Sequence, residues 1–113
     1  MFAARWPWFS LPIFEHHDQH RRAGEARMGG KARVVLHEHL RRVIAELLRD
    51  ELRRSATASP KTAELIPTDL LVQYVSSTFI LVLNWWLESR NPLRAPDVNR
   101  LFCSLIAPAL PGD

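Results

Sequence analysis

Between Asp69 and Glu88 the chain carries no charge, and the eighteen residues from Leu70 to Leu87, LLVQYVSSTFILVLNWWL, are mostly apolar. A helix of that length sits at the lower edge of what spans a bilayer. The alternative is a helix surrounded by protein on nearly all sides. Each solution dictates what the rest of the chain must do, so this run constrains the fold more than any other feature.

Its polar residues favour protein as the solvent. On a helical projection Gln73, Ser77 and Asn84 fall together, next to Asp69 and Glu88 at the ends. That is a narrow polar stripe on an apolar cylinder, for which lipid offers no partner. A helix packed on two apolar sides, with one thin strip reaching water, accounts for it. Leu71, Val75, Thr78, Val82, Trp85 and Trp86 are assigned to the chain's own core. Val72, Ser76, Phe79 and Leu83 then remain as a surplus apolar face, and a contiguous patch of that kind marks an association surface. Ser76, small and central, lets two helices approach closely there. The expectation is a soluble, cytoplasmic homodimer with no membrane contact.

The other elements read as helices too. At 113 residues, with 47% apolar and 24% charged residues, the chain is one domain with an ordinary soluble composition. Strand signals are weak and helical periodicity is strong. A first helix is predicted over 11–27, with Ser10 as N-cap and Pro12 in the first turn, ending at Gly29-Gly30. A second, over 31–54, carries Leu36, Leu40, Val43, Ile44, Leu47, Leu48 and Leu52 at three- and four-residue steps. Residues 55–62, SATASPKT, read as a polar loop. A third helix runs from Pro67-Thr68-Asp69 to about Ser89. A fourth begins at Pro96-Asp97 and runs to about Ala107, with Val98, Leu101, Phe102 and Leu105 on one face. The predicted fold is all-α, a small bundle of four to five helices. Residues 1–10 form an irregular N-terminal segment, 11–107 the folded domain and 108–113 a tail.

Net charge is +3, and thirteen of the fifteen basic residues are arginines spread from Arg5 to Arg100. That is a solvated helix surface rather than a nucleic-acid stripe. The apolar start, MFAARWPWFSLPIF, is short, broken by Pro7 and Pro12, and lacks a small-residue cleavage site, so it is not read as a signal peptide. One cysteine, Cys103, excludes an intrachain disulfide.

The run IPTDLLVQYVSSTFILVLNWWLESRNPLRAPDVNRLF resembles the end of the C-terminal regulatory domain of TetR-family transcriptional regulators. Trp86-Leu87-Glu88, Pro92, Pro96-Asp97 and Leu101-Phe102 stand where that family has its Trp-Leu-Glu helix ending, turn and last amphipathic helix. Upstream, FEHHDQHRRAGEARMGGKARVVLHEHLRRVIAELLRDEL is similar to the preceding helices, and the resemblance spans about residues 12–107. It implies dimerisation through the last two helices, which form a four-helix bundle with the partner. On that reading Val72, Ser76, Phe79, Leu83, Val98, Leu101, Phe102 and Leu105 make the interface. The family's helix-turn-helix head has no counterpart here, so no direct DNA recognition is expected from this chain alone. A fragment, a misplaced start and a natural headless form all fit.

Many family members enclose an effector among the helices before the interface. Candidates for such a cavity are Phe14 and His17 on the first helix, Leu40, Val43 and Ile44 on the second, and Tyr74, Thr78 and Trp85 on the third. Aromatic and hydroxyl groups mixed on inward faces suit a planar or lipophilic effector. All five histidines lie between His16 and His39. His16 and His20 have metal-binding spacing, but polar helix faces explain them as well, and no metal or other cofactor is expected. There is no nucleophile motif, phosphate loop or carboxylate pair among apolar residues, so no enzyme is expected.

Overall fold

The computed structural model describes residues 8–22, 30–58, 66–88 and 92–110. All the regular structure in them is helical: α1 (Ser10–Arg22), α2 (Gly30–Ala58), α3 (Thr68–Glu88) and α4 (Ala95–Ile106), with a 3₁₀ turn at Ala107–Ala109. The all-α bundle read from the periodicity is therefore the fold. One boundary differs. α1 is described to Arg22, and the rest of its expected span lies outside the described residues. α2 continues to Ala58 through residues expected to be loop, because Ser, Ala and Thr do not break a helix and the next stop in the sequence is Pro60.

α2 and α3 run antiparallel. Arg33 meets Glu88 at 2.6 Å at one end and Arg49 meets Asp69 at 3.8 Å at the other, so the charges bounding the uncharged run tie it to α2. α3 and α4 are also antiparallel: Trp86 Nε1–H donates to the Leu93 carbonyl at 3.0 Å and the Tyr74 hydroxyl donates to that of Leu105 at 2.9 Å. α1 lies along α4. At 29 residues α2 is about 43 Å long, which sets the long axis of a molecule measuring 47 × 26 × 17 Å.

The core is aromatic where α1, α3 and α4 converge. Phe14 packs on Phe79 at 4.9 Å between ring centroids and on Trp86 at 5.8 Å, and Phe79 packs edge-on against Phe102 at 5.4 Å. Phe9, in the turn before α1, joins them edge-on to Phe79. Tilted and edge-to-face pairs at these spacings each add about 0.5–1.5 kcal/mol beyond area burial. From α2, Ile44, Ala45, Leu48 and Leu52 close the other side.

This core corrects the assignment of faces on α3. Val72, Ser76, Phe79 and Leu83, expected to be surplus surface, are all fully buried within the single chain. So are Val98 and Phe102 of α4. Trp85, assigned to the interior, stands 45% exposed. α1 and α2 together cover the flank that had been left for a partner. Ser76 serves its own helix, its hydroxyl donating to the Val72 carbonyl at 2.8 Å, which is back-bonding rather than an opening for a second helix.

Candidate functional site

Turning α3 so that Val72, Phe79 and Leu83 face inward turns another apolar set outward. Leu70, Tyr74, Leu81 and Trp85 follow one another at steps of four, seven and four, which keeps them on one side of a helix. Leu70 is 58% and Leu81 65% exposed. Beside them on α4 stand Leu101 and Leu105, also exposed, and the Tyr74–Leu105 hydrogen bond joins the two rows into one surface. Six half-exposed large side chains present on the order of 500 Å² of apolar area, above what scattered surface residues explain. The face carries no charge between Asp69 and Glu88. Gln73, Ser77 and Asn84 border it on the side of α2.

Of the residues expected at an interface, Val72, Ser76, Phe79, Leu83, Val98 and Phe102 are buried and only Leu101 and Leu105 are exposed. Leu101 and Leu105 are on the outer face. Leu70, Tyr74, Leu81 and Trp85, the exposed apolar residues of α3, were not in the expected set, although their spacing is visible in the sequence.

The expected cavity residues scatter. Phe14 and Ile44 are fully buried in the core, and Leu40 and Thr78 are half-buried. Val43 is exposed on α2, and Tyr74 and Trp85 belong to the outer face just described, so these three do not line an interior space in the single chain. The wide apolar stripe of α2 is the reason for Val43: α3 covers only the side bearing His37, Ile44 and Leu48, leaving Leu36, Val43 and Leu47 partly in water.

His17 is half-buried and its Nδ1–H donates to the Ile13 carbonyl at 3.0 Å. Burial pushes its pKa below the ordinary 6.5, against that bond, with His16 and His20 adding repulsion. His37 was not among the candidates, yet it is only 4% exposed. Burial lowers its pKa as well, opposed by a side-chain hydrogen bond to Asn84, with the charge of His17 from α1 and of Arg33 also disfavouring protonation and that of Glu88 favouring it. Its Nδ1 is buried with no hydrogen-bond partner among the described residues. His16 and His20 stack with ring centroids 4.3 Å apart. Among the described residues no three His, Cys, Asp or Glu side chains gather as a metal would require.

One polar contact holds α1 in place. Arg94, the N-cap residue of α4, makes no side-chain cap bond to its own helix. Asp18, 76 residues earlier and buried, takes over: its Oδ2 accepts from the Ala95 backbone N–H at 3.3 Å and from Arg94 Nε at 2.9 Å. A carboxylate at a helix N-terminus also meets the positive end of the helix dipole. At the other end of α1 the Ser10 hydroxyl donates to Asn99 Oδ1. Cys103 is half-buried, and burial pushes its thiol pKa up, away from thiolate chemistry.

Comparison with models of known protein families gave no match, and neither characterised proteins nor solved structures gave one.

Proposed function

We propose that the chain is a dimerising, small-molecule-sensing regulatory domain of TetR type, pairing through the outer face of α3 and α4. The observation that carries the pairing is the apolar surface of Leu70, Tyr74, Leu81, Trp85, Leu101 and Leu105, uncharged along α3 and flanked on α4 by the Asp97–Arg100 pair. A second copy suits it because two antiparallel helices of one chain laid on the same two of another bury this surface against itself. A twofold axis then needs no charge complement in the middle. Two such faces together supply roughly 1,000 Å², the lower end of what a specific interface buries. The TetR-like helix order of the sequence agrees with pairing through the last two helices. The sensing half rests on the TetR-like pattern of the sequence.

Light scattering on the purified chain tests the pairing. A dimer at micromolar concentration is expected, converting to monomer when Leu81 and Trp85 are both changed to Glu. A monodisperse monomer of the unaltered chain would sink the proposal.

A second reading has one observation in its favour. α3 is, by length and composition, apolar enough to cross a membrane, with 44% of its most apolar stretch buried inside the fold. Recovery of the chain only in the membrane fraction would select that reading.

A further inference from the structure

We infer that the apolar row of α2, Leu36, Leu40, Val43 and Leu47, meets a second copy of this chain in the same contact as the outer face of α3 and α4. This rests on the pairing proposed above and enlarges it from two helices per chain to three.

The outer face of α3 and α4 is small for the pairing it makes. Two such faces bury roughly 1,000 Å², against about 1,600 Å² for a standard interface. A stable dimer needs further apolar surface within reach of the first.

α2 carries such a surface. Leu36, Leu40, Val43 and Leu47 follow one another at steps of four, three and four, the spacing of a seam that one helix offers to another. Leu36 is 41%, Val43 39% and Leu47 40% exposed, and Leu40 is half-buried. Ile44 and Leu48, fully buried on the neighbouring face, already anchor α2 in the core. The row is therefore not what holds the helix to its own chain.

One ion pair gives the row its direction. Arg33 stands three residues before Leu36 and begins the row. Its partner at 2.6 Å is Glu88. Glu88 follows Leu81 by seven residues and Leu70 by eighteen, which places it on the outer face of α3. The α2 row thus opens to the same side of the molecule as the α3 row. Since the two helices are antiparallel, it runs from Glu88 back alongside Trp85, Leu81 and Tyr74. α3 lies between α2 and α4, so three rows share one broad side. Neighbouring rows are one helix spacing apart, about 8–10 Å.

Area selects a second copy as the occupant. At this exposure Leu36, Val43 and Leu47 add on the order of 200 Å² per chain. Each face then rises from about 500 to about 700 Å², near the roughly 800 Å² per partner of a standard interface. A partner surface of that width, centred on α3, reaches the α2 row as well. The row carries charge only at its ends, and both charges are paired within the chain: Arg33 with Glu88, Asp50 with Arg53.

Sedimentation equilibrium compares the unaltered chain with Val43→Glu/Leu47→Glu and with Val35→Glu. Val35 is 70% exposed but stands about 100° round the helix from Leu36, off the row. The double substitution is expected to weaken the dimer about tenfold or more, with helical circular dichroism unchanged. Val35→Glu should leave association as it is. Should the double variant lose its helical signal, methyl NMR with a soluble paramagnetic chelate decides on chains that fold. The Val43 and Leu47 methyls should be shielded in the unaltered dimer and open in the Leu81→Glu/Trp85→Glu monomer. Undiminished association of the folded double variant, equal weakening by Val35→Glu, or methyls equally open in dimer and monomer overturns the inference and leaves the α3–α4 pairing standing. A monomeric unaltered chain overturns both.

Discussion

α3 has two apolar faces of nearly the same composition and different fates. The inner one, Leu71, Val72, Val75, Phe79, Val82, Leu83 and Trp86, is covered by the other three helices of its own chain. The outer one, Leu70, Tyr74, Leu81 and Trp85, is left to whatever meets the molecule. Residue type does not separate them: each has leucine and aromatic side chains, and each ends at the tryptophan pair. What separates them is the neighbours. Phe14 of α1 and Phe102 of α4 both reach Phe79, so that side of the helix is fixed by aromatic packing. The opposite side has none. An uncharged helix therefore says that its apolar surface is wide, and only the packing says which face goes inward.

The strongest test of this contrast is to remove a ring from the inner face. Phe79→Ala is expected to cost about 3–5 kcal/mol, read as a lower midpoint in urea unfolding. Phe79 touches Phe9, Phe14 and Phe102 together, so the void cannot close by moving one neighbour. The same substitution should leave the association constant of the folded chain unchanged. A dimer weakened by Phe79→Ala without loss of stability would return this residue to the interface.

The outer face should respond in the opposite sense. Leu81→Glu with Trp85→Glu is expected to weaken self-association by about a hundredfold or more, equivalent to about 2.7 kcal/mol. Unfolding of the resulting monomer should move by no more than about 0.5 kcal/mol, the usual range for surface positions. Sedimentation equilibrium supplies the first number and urea unfolding the second. Equal loss of both would mean that the two faces are not independent.

Between these extremes lies the contact that lets α1 cover the inner face at all. Asp18→Ala leaves the Ala95 N–H at the start of α4 without its partner, and about 1–3 kcal/mol of stability is expected to go with it. Arg94, half-exposed, can turn to water, which keeps the cost below that of a fully buried pair. Asp18→Asn, which retains an oxygen acceptor, should recover part of the loss. If Asn is no better than Ala, the cap is not what Asp18 provides.

How much of this was legible depended on the range of each interaction. The helices of the Leu36 to Leu52 stripe and of the Val98 to Phe102 face announced themselves because periodicity is local. The Pro96-Asp97 start of α4 did so for the same reason. The rotation of α3 did not, since a helix apolar on three sides fits several orientations equally well by pattern. Only Phe9 and Phe14, far away in sequence, choose among them. The cap on α4 was invisible for a related reason: Asp18 lies on another helix, and Arg94 itself is a poor capping residue. His37 gives no signal in the local pattern of α2. Its significance comes from burial against α3 and from Asn84, neither of which spacing reveals.

The smallest expected effect distinguishes the histidine region from the rest of the interior by pH. His17 and His37 both have folded pKa values below the ordinary 6.5, chiefly because burial penalises the charged ring. Below 6.5 the unfolded chain therefore binds more protons than the folded one, and stability falls as the pH falls. The loss begins as pH drops through about 6.5 and stops growing only below the folded pKa values. The carboxylates act in a different window. Glu38, held at about 2 by its bond to Arg41 and then by Arg42, contributes stability that is fully present above 4.5 and is lost as the pH falls from there to about 2. Stability measured from pH 7.5 down to 5.5 thus reads the histidines without Glu38. His37→Leu should flatten this part of the profile and His17→Phe should flatten it further. A profile that stays steep in the double variant would place the protonation elsewhere.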